Sequence, residues 1–69
     1  MIVRADIAAN VWKVEVVVGD RVEADQVLAI LESMKMEIPV EAPVAGVVAE
    51  VLIVEGQTIG EDQPLFRIE

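Results

Sequence analysis

The chemically most distinctive stretch of this 69-residue chain is LESMKMEIPVEAP, in which Lys35 stands between Met34 and Met36. Lys13 is the only other lysine. A lysine amine in water is protonated at neutral pH, so Lys35 could take up an acyl group only from an activated donor. The two thioethers could form a soft contact surface around the amine, or they could fold back as core fillers beside an ordinary solvated turn lysine.

The residue types that are missing restrict catalysis sharply. The chain has no histidine, tyrosine or cysteine, and Ser33 and Thr58 are its only serine and threonine. A Ser-His-Asp or Cys-His arrangement cannot be built from this set, and neither can a zinc site that needs histidine or thiolate. We therefore expect a protein that is not an independent enzyme.

The charge and hydropathy of the chain exclude further classes of function. The net charge is −8, which disfavours binding to nucleic acid or to an anionic membrane surface. The apolar runs are too short to span a bilayer, and Arg4 and Asp6 interrupt the first of them, so we expect no signal peptide and a cytosolic protein. The composition is 55% hydrophobic and rich in valine, which favours strands.

An internal repeat organises the chain. Residues 1–32 align without a gap on residues 38–69, an offset of 37, and low complexity alone would not align the glycines and the Asp-Gln pairs. The identical pairs are Val3/Val40, Ala5/Ala42, Ala8/Ala45, Val11/Val48, Val14/Val51, Val17/Val54, Gly19/Gly56, Asp25/Asp62, Gln26/Gln63, Leu28/Leu65 and Glu32/Glu69. We expect one domain, 1–69, made of two copies and the connector 33–37.

Each copy of the repeat predicts four strands. In the first copy they are 1–5, 11–18, 21–23 and 27–32, and in the second copy 38–42, 48–55, 58–60 and 64–69. A helix over 25–38 is the alternative, because its apolar residues have helical spacing, but the equivalent segment DQPLFRIE is short and contains a proline. The sequence thus predicts an all-β flattened barrel or sandwich of two four-stranded antiparallel sheets with a pseudo-two-fold axis.

The connector SMKME joins the two copies, and Lys35 is at its centre. A tight connection between antiparallel strands exposes its middle side chain, so we expect Lys35 on a hairpin tip, near the pseudo-two-fold axis. Turn tips usually carry Gly, Asn, Asp or Pro, and none of these occurs in SMKME. Lys13 is mid-strand beside Trp12, and we expect it to pair weakly with Glu15.

The motif ESMKME resembles the attachment motif of biotinyl domains, the biotin carboxyl carrier proteins, whose usual core is Ala-Met-Lys-Met. The resemblance extends through APVAGVV and VEGQTI and covers essentially the whole chain. It implies that Lys35 carries covalent biotin and that Met34 and Met36 are the flanking recognition residues. The related lipoyl domains share the fold but typically have Asp-Lys-Ala at the hairpin.

This sequence departs from the family pattern at a few positions, all of which affect local backbone shape. Ser33 stands where alanine is commoner, and Ala9 stands where glycine is frequent, whereas the second copy keeps Gly46. Asp25 and Asp62 stand where Gly-Gln is common, and aspartate tolerates left-handed turn geometry. The gapless repeat leaves no room for the protruding thumb of some carrier domains.

The resemblance also implies the partners. They are a biotin protein ligase, a biotin carboxylase and a carboxyltransferase, between which carboxybiotin on Lys35 would be carried, and we expect a monomer in isolation. A lipoyl-type carrier and an unmodified β-rich interaction module are the alternative functions. The residues Glu32, Glu37 and Glu41 are interpreted as a solvated flank of the hairpin rather than as specific ligase contacts.

Overall fold

The computed structural model describes residues 1–69 and contains eight strands and no helix. The strands are β1 (Ile2–Arg4), β2 (Ala9–Val14), β3 (Arg21–Val22), β4 (Val27–Ser33), β5 (Met36–Glu41), β6 (Gly46–Val51), β7 (Thr58–Ile59) and β8 (Pro64–Ile68). Two four-stranded antiparallel sheets have the orders β1-β8-β6-β3 and β5-β4-β2-β7. The all-β prediction is confirmed, and the helical alternative for 25–38 is wrong.

The strands follow the repeat closely. Adding 37 to the bounds of β2 and β3 gives the bounds of β6 and β7, and the order of one sheet becomes the order of the other. Each sheet contains two strands from each copy, so neither copy could form its sheet alone. Close superposition of 1–32 on 38–69 remains a prediction.

The second strand of each copy begins and ends earlier than predicted, at 9–14 and 46–51 rather than 11–18 and 48–55. Glu15 N still donates to Leu28 O. Beyond Glu15 the chain leaves β4 and turns. Val17 N donates to Asp20 Oδ2 at 2.9 Å, and this turn closes before the chain reaches β3. The valines of this segment have strand propensity, but the turn fixed by Asp20 determines their conformation.

The turn residues adopt the backbone conformations expected of them. Gly19 and Gly56 have φ of 97° and 90°, and Asp25 and Asp62 have φ of 69° and 68°. The Asp-Gln turns also join the two copies, because Asp25 N donates to Ala42 O and the equivalent Asp62 N donates to Ala5 O, both at 2.8 Å.

The core lies between the sheets and consists of 16 buried residues, all apolar. No buried side-chain nitrogen or oxygen lacks a partner. Alternation along β2 is interrupted by an irregularity between Val11 and Lys13, which leaves Val11 buried while Trp12 and Lys13 are both exposed. The same irregularity occurs in β6, between Val48 and Glu50. Bulges of this kind re-aim side chains, and here the bulge keeps Lys13 on the same outer face as Trp12, which is outward by alternation.

A groove of about 450 Å³ lies between β1 and β5. Its lining includes four pairs of equivalent residues from the two copies: Met1/Ile38, Ile2/Pro39, Val3/Val40 and Arg4/Glu41. The expectation that the pseudo-two-fold axis passes near Lys35 stays a prediction. The equivalent of the hairpin tip is the pair of chain ends, where the Met1 ammonium donates to Ile68 O.

Candidate functional site

The hairpin β4–β5 is closed by a two-residue turn, Met34-Lys35, which is shorter than the predicted connector 33–37. Ser33 and Met36 are the last residues that pair across the two strands. Met34 has φ of 51° and Lys35 has φ of 66°. Positive φ at both central residues is the signature of a type I′ turn, whose twist matches that of the flanking strands.

This turn uses residues that are poorly suited to it. Left-handed backbone conformations are adopted routinely by glycine and tolerated by asparagine and aspartate, and they cost roughly 1–2 kcal/mol for other residues. The chain places asparagine or glycine at neither position, although it uses glycine and aspartate for its other positive-φ turns. The side chains at 34 and 35 therefore serve something other than the stability of the hairpin.

The tip is open to solvent on all sides. Lys35 is exposed and forms no hydrogen bond or salt bridge. Met34 is 92% exposed and Met36 is 63% exposed, so the core-filler interpretation of both methionines is wrong. Two thioethers and a free amine thus form a flexible, unpartnered surface at the end of a rigid hairpin.

The hairpin behind the tip is acidic. Glu32 and Glu37 lie directly opposite each other on β4 and β5, and both are exposed. Like charges in directly opposed positions destabilise a sheet. No salt bridge relieves the pair, and Lys35 at the tip is the nearest lysine along the hairpin.

Lys13, the other lysine, is in a different environment. Its Nζ atom lies 5.5 Å from the centre of the Trp12 ring, within the range of a cation–π contact. No salt bridge joins Lys13 to Glu15, so the predicted pair is wrong. The residue types around Trp12 do not predict the bulge. A bulge inserts one extra residue into the strand pairing, and this insertion does not require a particular residue type.

The exposed amine fits a tethered group carrier. A lysine stem with a carboxylate-terminated cofactor gives an arm of about ten bonds of roughly 1.5 Å, so its far end could reach on the order of 10 Å from the backbone. The unpartnered amine at the turn leaves such an arm free to swing. The structure has no cluster of residues that could hold a metal ion, and it has no helix of membrane-spanning length and hydropathy.

Comparisons with known proteins agree with this geometry. A family model described as "Biotin-requiring enzyme" matches residues 3–68. The chain is 47% identical to the biotin/lipoyl attachment protein of Bacillus subtilis, over 99% of this chain and 93% of that protein. It is 53% identical to the biotinylated protein TB7.3 homolog of Mycobacterium leprae, over 83% of this chain and 80% of that protein.

A solved structure has the same fold. The urea carboxylase of Kluyveromyces lactis superposes with a TM-score of 0.94 and 29% identity, over the whole of this chain. The chain spans only 6% of that carboxylase, which corresponds to one small part of a much larger protein.

Proposed function

Since the chain belongs to the family of biotin-requiring enzymes and is a biotin carrier domain rather than a catalyst, we propose that Lys35 is the residue that carries the biotin. The observation that supports this most is the hairpin tip. It presents a partner-free amine in a left-handed turn between two exposed methionines. Lys13, the alternative acceptor, lies mid-strand against an indole.

Attachment needs an external catalyst. The amine of Lys35 would attack the carbonyl carbon of biotinyl-AMP, an amide bond would form, AMP would leave, and the amine would lose a proton. The chain has no group near Lys35 that could generate the activated donor, so a biotin protein ligase and ATP supply it in this proposal. Met34 and Met36 form the contact surface by which the hairpin is recognised.

Bound biotin supplies a ring nitrogen that carries a carboxyl group, and the protein supplies attachment and positioning. The rigid hairpin holds the start of the arm in one place, and the exposed tip lets the ring enter a partner's active site. A short tether keeps the ring at a high effective concentration beside a docked partner.

The partners follow from this role. The chain works with components of a biotin-dependent carboxylase. We assign these components as a biotin carboxylase, which loads the ring, and a carboxyltransferase, which unloads it. The cytosolic location and the monomeric state remain predictions, which cell fractionation and size-exclusion chromatography with light scattering would test.

Intact mass spectrometry tests the proposal directly. Incubation with biotin, ATP and a biotin protein ligase should add about 226 Da, the mass of biotin less water. Lys35→Arg should gain nothing, whereas Lys13→Arg, the matched control, should be labelled as the wild type is. Label on Lys35→Arg would contradict the proposal. A gain of about 188 Da in protein from cells would instead indicate lipoate.

A further inference from the structure

The outer face of the sheet β5-β4-β2-β7 carries a strip of three apolar residues and one lysine behind the hairpin tip. Pro39, Ile30 and Lys13 lie opposite one another on β5, β4 and β2. Trp12 lies on this face by strand alternation, with 45% of the residue exposed, and the bulge in β2 keeps Lys13 on the same face. Ile30 is half-buried and does not pack against the core. We call these four residues the tryptophan strip.

At the equivalent place on the other sheet, charged residues pair with one another. The equivalents of Pro39, Ile30, Lys13 and Trp12 are Ile2, Arg67, Glu50 and Ala49. Arg67 Nε donates to Glu50 at 2.6 Å, and its guanidinium also pairs with Glu69. The backbone register is the same, but only one face leaves a large aromatic residue exposed.

Carboxylates border the tryptophan strip on two sides. Toward the tip lie Glu32 and Glu37, opposite each other on the adjacent strands. On the far side of β2, the exposed Glu55 accepts a hydrogen bond from Val14 N at 3.1 Å. None of these three acids is in a salt bridge. The strip therefore has three apolar residues, Trp12, Ile30 and Pro39, and one cation, Lys13, beside the indole, within an acidic rim.

We infer that the tryptophan strip is the docking surface for a biotin carboxylase component whose complementary surface is apolar at its centre and basic at its rim. The inference rests on the proposed function. Exposed tryptophans are the residues most enriched among those that dominate binding energy, and a ring of charges around such an anchor selects a partner of opposite sign.

The spacing suits a carrier that docks and delivers at once. Ile30 precedes Lys35 by five residues, which at about 3.3 Å per residue places the strip roughly 16 Å from the tip. A standard interface buries about 800 Å² on each partner, which is wide enough to cover both the strip and the start of the biotin arm.

Carboxylation kinetics test this surface. Wild type and variants are first biotinylated to completion with a purified ligase and checked by intact mass. Each then serves as the substrate of the biotin carboxylase component from the same cells, with free biotin as a second substrate. Trp12→Ala installs the residue of the equivalent position, Ala49, and should raise KM for the carrier about tenfold or more. The rate with free biotin should not change.

Two further variants keep the outcome clear. Ile30→Arg installs the residue equivalent to Arg67 and should weaken docking at least as much, because it replaces an apolar side chain of the strip with a second cation, next to Lys13. Val47→Ala, on the outer face of the other sheet, is the matched control and should leave KM unchanged. Thermal unfolding of each variant verifies that it is folded.

A direct signal is available because Trp12 is the only tryptophan in the chain. With 5-fluorotryptophan incorporated, its single ¹⁹F resonance should shift or broaden when the biotin carboxylase is added. Unchanged KM for Trp12→Ala and Ile30→Arg, together with an unmoved resonance, would overturn the inference while leaving the proposed function standing. If the enzyme carboxylates free biotin but not the biotinylated wild type, the proposed function fails and the inference fails with it.

Discussion

The two outer faces of the sandwich share a backbone and differ in their side chains. Both have the same strand order, the same register and a bulge at the same place. One face pairs Arg67 with Glu50 and Glu69, and these carboxylates raise the pKa of the guanidinium, chiefly through the hydrogen bond that Arg67 Nε donates to Glu50. The other face leaves Trp12 exposed beside Lys13, and its opposed glutamates form no salt bridge. Identical pairs such as Val11/Val48 and Leu28/Leu65 lie in the core, whereas the pairs that distinguish the two outer faces, such as Trp12/Ala49, differ.

The same contrast holds at the two ends that the axis exchanges. At one end the chain closes into the turn Met34-Lys35, and at the other the chain ends meet, with Met1 bonded to Ile68. The repeat therefore provides two equivalent scaffolds, and the turn that carries Lys35 belongs to the connector between the copies.

The largest effect that we expect comes from breaking the backbone equivalence at Gly46, whose counterpart is Ala9. A Cβ atom at Gly46 would lie 2.4 Å from Glu69 O and 2.8 Å from Ile68 Cγ2, so the end of β8 would have to move. We expect Gly46→Ala to cost about 1–3 kcal/mol in the free energy of unfolding, measured by urea denaturation. Ala9→Gly is the control and should cost at most about 1 kcal/mol. Equal stability of Gly46→Ala and wild type would contradict the close approach.

The second prediction concerns the turn. Met34→Asn with Lys35→Gly supplies the residues that a type I′ turn prefers, and it removes two unfavourable left-handed conformations. We expect the double variant to gain about 1–2 kcal/mol in the free energy of unfolding, measured by thermal and urea denaturation, and to lose all biotinylation. The control is Val44→Ala, an exposed position away from the tip. A double variant less stable than the wild type would mean that Met34 and Lys35 contribute contacts that outweigh their strain.

Much of the fold could be predicted from the sequence, because each structural feature of one copy of the repeat can be checked against the equivalent residues of the other copy. Gly19 and Gly56 mark the same turn, and the proline in DQPLFRIE removes the helix from both copies. The features that could not be predicted are those in which the surrounding structure overrides the intrinsic conformational preference of a residue. The exposed Val17 has strand propensity, but Asp20 closes a turn around it. Met34 and Lys35 have no turn propensity, but the short hairpin forces them into one.

At the candidate site, sequence could indicate the acceptor but not its surroundings. Lys35 is distinguished by its place between the copies, which the alignment shows directly. Glu32 and Glu37 lie opposite each other because the turn is only two residues long, Met34-Lys35. The predicted connector, 33–37, is longer and does not give this pairing. The exposure of Lys13 beside Trp12 depends on a bulge, and a bulge changes which face a residue occupies without changing the residue types around it.

The third prediction separates the surface role of the methionines from any role in the fold. Because both are exposed, Met34→Leu and Met36→Leu should each change the free energy of unfolding by well under about 1.5 kcal/mol. Leucine keeps the apolar volume but loses the polarisable, adaptable thioether. With fully biotinylated variants at matched concentration, we expect slower carboxyl transfer and a smaller effect on ligation. Wild-type transfer rates together with sharply lowered melting temperatures would contradict this prediction, because the methionines would then support the fold and not the transfer.

The smallest effect that we expect concerns the charge of Lys35, which bears directly on the difference between the two outer faces. Forming an amide at Lys35 removes the charge of the only lysine on the acidic hairpin, so the rim around the tryptophan strip becomes more negative. A basic partner should then prefer the acylated carrier even before the biotin ring is engaged. Lys35→Gln imitates the neutral amide, Lys35→Arg retains the charge, and neither variant can carry biotin. Because the two side chains also differ in size, the salt-dependent part of their difference reports the charge. Two unit charges about 7 Å apart in water interact by roughly 0.6 kcal/mol, which corresponds to a two- to threefold change in affinity.

Titrating the biotin carboxylase component against the ¹⁹F signal of Trp12 should therefore show Lys35→Gln binding two to three times more tightly than Lys35→Arg at low salt. The difference should vanish near 1 M salt, where screening acts within about 3 Å. Equal affinities at low salt would show that the charge of Lys35 lies outside the docking field, so that the carboxylase could not distinguish loaded from unloaded carrier by charge and would have to do so by the ring itself.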